Sequence, residues 1–243
     1  MKVILTIISK EINGYFKSYM AYILLAVYLL ISMAAVFYSA YYFEYNNRGL
    51  ISFFIYQPGI LNILLPAVTM KVWAEERRHG TLEFLLTQPV SYETLVIGKF
   101  LAAWLFAILM LLMTLPFIFY SDHLVFLDNE NILAAFGGLV LVMAAFCAIG
   151  CAVSACCGNV IIAYLATVFC GWVWQNLSFD TLFLGLKNFI PLLQPRLIGA
   201  LDFGEHYQQM IQGQVSLDSL IYFAGIIFFA LWLNVIIIRR RKM

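Results

Sequence analysis

Long stretches without a charged residue constrain this chain more than any other feature. Four such runs cover residues 21–43, 49–70, 100–121 and 219–238, and a fifth, 131–179, is more than twice as long. A helix needs about 20 apolar residues to cross a bilayer, and its backbone must satisfy its own hydrogen bonds there. Only 11% of the residues are charged and 64% are hydrophobic, whereas soluble domains carry about 25% charged residues. The chain is therefore predicted to be an all-α integral membrane protein.

Six transmembrane spans are expected once the longest run is divided. The sequence Cys-Gly-Asn at 157–159 is the natural break in that run. Pro58 and Pro66 fall inside the second span and should kink it, which is tolerated where neighbouring groups satisfy the freed carbonyls. With flanking residues, the predicted spans are 20–43, 49–71, 96–121, 132–154, 160–179 and 219–238.

The distribution of basic residues predicts the orientation. If the N-terminus is cytoplasmic, eleven of the 14 Lys and Arg residues lie inside, and only Arg48, Lys187 and Arg196 lie outside. This asymmetry favours both termini in the cytoplasm. A net charge of +1 gives no basic field for nucleic acid.

Two further segments lie outside the spans. Residues 1–19 carry an apolar residue at every fourth position from Ile4 to Phe16, which predicts an amphipathic helix in the membrane interface rather than a cleaved signal peptide. Residues 180–218 form the longest extracytoplasmic connection. We expect one or two short helices there before the last span, with an ordinary structured loop as the alternative.

A charge-dense segment, residues 73–91, separates the second and third spans. Gly80 loosens the chain, and Thr81 is a fair N-cap for a short helix with Glu83 in its first turn. Pro89 forbids continuation of that helix.

An apolar strip on this short helix completes the pattern. The strip consists of Leu82, Leu85 and Leu86, and Ser91 and Glu93 are placed to begin the next helix. A rigid amphipathic helix bracketed by charges is typical of a docking element, with the leucines burying in a partner. The alternative is a solvated loop that only enforces topology.

Catalytic and metal-binding patterns are missing from the sequence. No phosphate-binding lysine loop, zinc-protease or hydrolase motif occurs, so we expect no catalytic site in this chain. Cys147 and Cys151 are four residues apart and could face one metal, but their Ala-, Gly- and Ser-rich surroundings favour close helix packing. We expect neither a metal nor a cofactor on the chain.

Lys71 and Lys99 fall near the cytoplasmic ends of the predicted spans 49–71 and 96–121, and the other polar residues within the spans are uncharged. We expect no buried ionisable side chain in a span, which argues against an ion-driven carrier or a stand-alone channel. Interhelical hydrogen bonds are the expected role of the remaining polar residues, which are Asn62, Thr69, Thr114, Ser154, Thr167 and Asn234.

A resemblance adds to this interpretation. The sequence from Ala74 to Phe100, AEERRHGTLEFLLTQPVSYETLVIGKF, resembles the segment after the second span of ABC-2-type permeases, the membrane subunits of bacterial ABC transporters. Residues 64–71 and 206–223 resemble the gliding-motility-type subgroup. The likeness covers nearly the whole chain, as a single transmembrane domain spanning 1–243.

In that family, the segment matching 75–91 is a cytoplasmic coupling helix that seats in a groove on a separate ATPase. The resemblance implies that the coupling surface of this chain includes Glu75, Glu76, Arg77, Arg78, Gly80, Thr81, Glu83 and Pro89. Leu85, on the apolar strip, joins them as a residue that would bury in the partner.

The resemblance also implies an assembly. Two permease subunits would work with two ATPases that bind ATP and Mg, in the bacterial inner membrane, and a further membrane protein with a periplasmic domain is a possible partner. The function implied is export driven by ATP hydrolysis on the partner. A force-transmitting or anchoring subunit that moves no cargo is the alternative.

Overall fold

The computed structural model describes residues 2–38, 49–87, 89–116, 129–176 and 202–240, and every regular element within them is a helix. This confirms the all-α class. The helices are α1 (Lys2–Lys17), α2 (Tyr19–Tyr38), α3 (Gly49–Thr69), α4 (Lys71–Arg78), α5 (Thr81–Thr87), α6 (Tyr92–Leu112), α7 (Asn129–Cys156), α8 (Val160–Asn176), α9 (Phe203–Ile211) and α10 (Leu217–Arg240).

Helices occupy each of the six predicted span positions, but not all of them are long enough by themselves. Among the described residues, four continuous stretches are long and apolar enough to cross a membrane: Phe53–Arg78, Tyr92–Leu112, Ile132–Cys156 and Leu217–Arg240. A fifth candidate joins Val3–Lys17 and Tyr19–Ala35 through a bend of 78°. The shorter helix α8 is apolar over 17 residues. Four or five membrane-length helices are thus established, and the layout of six spans stays a prediction.

The helix α7 is the centre of the helix packing. It contacts α3, α6, α8, α9 and α10, and it is lined with small residues that let its neighbours approach closely. A Cβ atom added to Gly150 would lie 2.8 Å from the Cβ atom of Thr69 on α3, so only glycine fits there. Cys147 and Cys151 are buried in this packing as small side chains.

The proline at position 58 leaves a carbonyl without its helical donor, and a distant helix supplies the replacement. The freed carbonyl is that of Phe54, four residues earlier. The hydroxyl of Tyr207 on α9 donates to it at 2.7 Å. The expectation that a neighbour satisfies the kinked span is therefore confirmed at Pro58.

The connection before the last span contains α9, which packs on α3 and α7. This accounts for one short helix within the predicted segment 180–218. Predictions that fall on residues 39–48, 117–128, 177–201 and 241–243 lie outside the described residues.

The buried apolar side chains of the described residues form two clusters. The larger cluster joins the long helices. The smaller cluster includes Val72, Trp73, Leu95 and Val96, and it packs the charged segment against the neighbouring helices.

Candidate functional site

The charged segment folds as two short helices joined by a tight turn. Gly80 lies in the turn between α4 and α5 with a φ angle of 70°, in the left-handed region that favours glycine. Pro89 follows α5, and the hydroxyl of Ser91 caps α6 by accepting a hydrogen bond from the backbone N–H of Thr94 at 3.3 Å. The breaks predicted at these three residues are confirmed.

The prediction that Thr81 is the N-cap of the short helix is wrong. The helix α5 begins at Thr81, and the threonine hydroxyl donates to the carbonyl of Glu76 at 3.1 Å. The side chain therefore closes the end of α4 rather than the start of α5.

Replacing Gly80 with alanine is expected to lower the free energy of unfolding by about 1–2 kcal/mol, because a side chain disfavours the left-handed conformation. Gly14 on α1 is the matched control, because an added Cβ meets no atom within 4 Å at either position and only Gly80 has a positive φ. Gly14→Ala should be neutral or stabilising. Denaturant titration in detergent micelles compares the two, and equal effects would contradict the explanation.

The start of α4 is capped by a residue from another helix. The Oγ atom of Ser154, on α7, accepts hydrogen bonds from the backbone N–H groups of Trp73 and Ala74, each at 3.2 Å. It also donates to the carbonyl of Met70 at 2.9 Å. Met70 has no side-chain cap of its own, so Ser154 supplies the partners that the first turn of a helix lacks. This bond network ties the charged segment to α7.

Ser154→Ala is expected to cost about 1–3 kcal/mol of stability, because it leaves buried backbone groups without partners. Ser9→Ala, at an exposed serine on α1, should stay within about 0.5 kcal/mol of the unmodified chain. The same micelle titration measures both variants. A loss at Ser154 no larger than at Ser9 would show that this cap contributes nothing.

A buried lysine joins three helices beside the charged segment. The Nζ atom of Lys99, on α6, donates to Glu11 Oε1 at 2.9 Å, to Glu76 Oε1 at 2.8 Å and to the carbonyl of Val72 at 3.0 Å. It also lies 5.0 Å from the ring centroid of Trp73, a cation–π distance. The Lys99 side chain is 3% exposed and each carboxylate side chain is 19% exposed. These three charged groups form what we call the Lys99 cluster.

The expectation of no buried ionisable side chain in a span is wrong at Lys99. The helix α6 begins at Tyr92, so Lys99 lies within a membrane-length helix rather than at its edge. A lone ammonium group would be too costly to bury, but carboxylates from α1 and α4 balance it. All three N–H donors of the ammonium group have partners.

The residues predicted for the coupling surface divide into two groups. One group turns partly inward: Glu76 binds Lys99, and Leu85 packs with Leu82 against the smaller apolar cluster. Glu75 is half-buried. The exposed group is Arg77, Arg78, Gly80, Thr81, Glu83 and Pro89.

Phe84 is an exposed aromatic residue that the predicted apolar strip does not include. Its side chain is 70% exposed, whereas Leu82 and Leu85 on the same helix are half-buried against the chain itself. The signal in the sequence is its position, because Phe84 falls outside the face that Leu82 and Leu85 share at a spacing of three residues. The apolar group available to a partner is therefore Phe84 more than Leu85.

A cavity of about 470 Å³ opens beside the Lys99 cluster and is lined by residues of α1, α2, α3, α4 and α6, with Thr81 at the start of α5. Its lining includes Glu11, Glu76 and Lys99 themselves, along with Tyr15 and His79. Among the described residues, no group of three or more His, Cys, Asp or Glu side chains is placed to hold a metal ion.

These features define a multi-helix membrane protein with a braced, partly exposed charged segment between two long helices. A family model described as "ABC-2 family transporter protein" matches residues 5–238. The chain therefore belongs to the ABC-2 transporter family, which points to the permease subunit of an ABC transporter and implies an ATPase partner. A search of curated proteins finds no match.

Proposed function

We propose that this chain is the permease subunit of a bacterial ABC-2-type exporter and that residues 73–91 couple it to a separate cytoplasmic ATPase. The coupling surface comprises Glu75, Glu76, Arg77, Arg78, Gly80, Thr81, Glu83, Leu85 and Pro89, with Phe84 added. ATP and Mg bind on the ATPase, and the permease holds no catalytic site or cofactor of its own.

The observation that carries the proposal is the contrast between Phe84 and the segment around it. Phe84 exposes most of its ring, and the exposed charges of Arg77, Arg78 and Glu83 lie close to it along the chain. An exposed apolar side chain with a charged rim is typical of a protein interface. The rest of the segment is fastened to the membrane helices through Ser154 and Lys99. A force applied at Phe84 would therefore reach those helices.

Co-purification tests the proposal. The tagged permease, expressed in its native host and extracted in mild detergent, should retain an ATPase that hydrolyses ATP in the complex. The permease purified alone should hydrolyse none. Failure to retain any ATPase under conditions that keep the permease folded would overturn the proposal.

A second candidate function is signalling, in which the same complex passes a conformational change to a periplasmic partner and moves no cargo. A groove of about 1260 Å³ between α7, α8, α9 and α10 has the size of a pathway for an amphipathic substrate, and this favours export. ATP-dependent movement of a fluorescent lipid in proteoliposomes that contain the complex would support export.

The membrane arrangement is part of the same proposal. Six spans would place both termini and the charged segment on the cytoplasmic face of the inner membrane, with a second copy or a related permease completing the assembly. The resemblance of residues 64–71 and 206–223 supports membership of the gliding-motility-type subgroup, whose members commonly work with a periplasmic-domain partner. Labelling of cysteines introduced near each terminus by a membrane-impermeant reagent tests the orientation.

A further inference from the structure

The Lys99 cluster lies where α1, α4 and α6 meet. Apart from this junction, these helices do not all pack on the same neighbours. The helix α1 packs mainly along α6, and α4 packs mainly against α7. The cavity beside the cluster separates α1 from α4, so apolar packing does not fill the space between them. The hydrogen bonds of Lys99 to Glu11 and Glu76 cross this region.

Stability alone does not account for three charged side chains at this junction. Replacing a whole buried ionic group with apolar side chains of similar size is often neutral or stabilising. In some proteins a buried ionic group instead fixes geometry, because each partner must remain within hydrogen-bond distance to offset the loss of hydration. The Lys99 cluster is placed for such a role between α1, α4 and α6.

Close packing already fixes one side of this arrangement. A Cβ atom added to Gly98 would lie 2.8 Å from Cγ2 of Ile7, so α1 lies tightly against α6 next to Lys99. The other side, between α4 and the α1–α6 pair, relies on Glu76 and on the contact of Lys99 with Trp73 and with the carbonyl of Val72.

We propose that Lys99, Glu11 and Glu76 are positioning residues that make α1, α4 and α6 move as one rigid body. This inference rests on the proposed function, because the motion to be transmitted is that of the coupling segment driven by the ATPase. The N-terminal helix is then part of the lever and not only a membrane anchor. A displacement at α5 reaches α1 and α6 together.

The variant Glu76→Met tests this role with the least damage to the fold. It removes the carboxylate contact to α4 and leaves Lys99 and Glu11 as a charge-balanced pair. A second variant, with Glu11, Glu76 and Lys99 all replaced by methionine, leaves no charge at the cluster and keeps the test valid if the first folds poorly. Lys17→Met, at an exposed lysine on α1, is the control.

The readout is the distance between α1 and α4. Cys156, Cys157 and Cys170 are first replaced by alanine. Spin labels are then attached to cysteines introduced at Asn13 and His79, which are both exposed, and pulsed electron paramagnetic resonance measures the distance between the labels. In nanodiscs containing the permease alone, we expect one narrow distance distribution for the unmodified chain and for Lys17→Met. We expect a broader distribution for both cluster variants.

In a second experiment, the same distance is measured in the complex with the co-purified ATPase. The labelled distance should be the same without nucleotide and with ATP in the unmodified complex, and should differ between these states in the cluster variants. Permease-dependent ATP turnover should fall about tenfold in the variants, because coupling between two sites is lost while each site persists.

Two results would overturn the inference: equal distance distributions in the variants and the unmodified permease, or a nucleotide-dependent distance in the unmodified complex. Absence of any bound ATPase would overturn the proposed function instead. The nanodisc arm needs no ATPase, so it decides the rigidity of the cluster in either case.

Discussion

Replacing Lys99 alone with methionine is expected to lower the free energy of unfolding by about 3–5 kcal/mol, among the largest effects of a single substitution in this chain. The variant leaves the carboxylates of Glu11 and Glu76 facing each other without a counter-charge. It also leaves the carbonyl of Val72 without its lysine donor. Denaturant titration of the purified permease in detergent micelles measures the loss.

Two control variants separate the effect of the unpaired charges from the effect of the altered side-chain shape. Adding Glu11→Met and Glu76→Met to the Lys99 variant removes the unpaired charges and should recover most of the lost stability. Lys17→Met, which removes an exposed lysine, should stay within about 0.5 kcal/mol of the unmodified chain. If Lys99→Met and Lys17→Met were equally stable, the ammonium group would not be buried against its two carboxylates.

The positions of the helices follow from the sequence because lipid leaves the backbone few choices. A charge-free run of membrane length must pair its own N–H and C=O groups, and helices accordingly occupy each predicted span position. Local chemistry also predicted the breaks at Gly80, Pro89 and Ser91, where φ, a missing N–H and a capping hydroxyl act within a few residues.

The partners of polar side chains were harder to predict, because the sequence does not say which helices will meet. Ser154 makes the interhelical bonds expected of it. The hydroxyls of Thr69, Thr114 and Thr167 donate instead to carbonyls three or four residues earlier in the chain. A threonine hydroxyl can reach such a carbonyl without any neighbour, so the expectation of interhelical bonds was wrong for these three.

The Lys99 cluster illustrates the same limit. Its two carboxylates come from 88 residues and 23 residues away in the sequence. Counting basic residues places Lys99 on the inner side of the membrane, but it does not pair Lys99 with Glu11 or Glu76. Only the meeting of α1, α4 and α6 at Lys99 turns them into a buried ionic group.

Phe84→Ala is expected to weaken binding of the permease to its ATPase by at least about 30-fold, because exposed aromatic side chains that fill a partner's pocket often contribute 2 kcal/mol or more. The ring of Phe84 is 70% exposed, so its removal opens no cavity inside the permease. The loss should therefore appear in the dissociation constant of the complex and not in the stability of the permease. Titration of the ATPase onto immobilised permease in nanodiscs measures the affinity.

Phe169 on α8 is the matched control, because its ring is 65% exposed but lies on an apolar helix far along the chain from the charged segment. Phe169→Ala should leave ATPase affinity unchanged. Leu85→Glu should also weaken the complex, but with a loss of permease stability, because Leu85 packs against the chain's own apolar cluster. If Phe84→Ala and Phe169→Ala bound the ATPase equally well, the exposed ring would not be part of the interface and the partner would have to contact another face of α4 and α5.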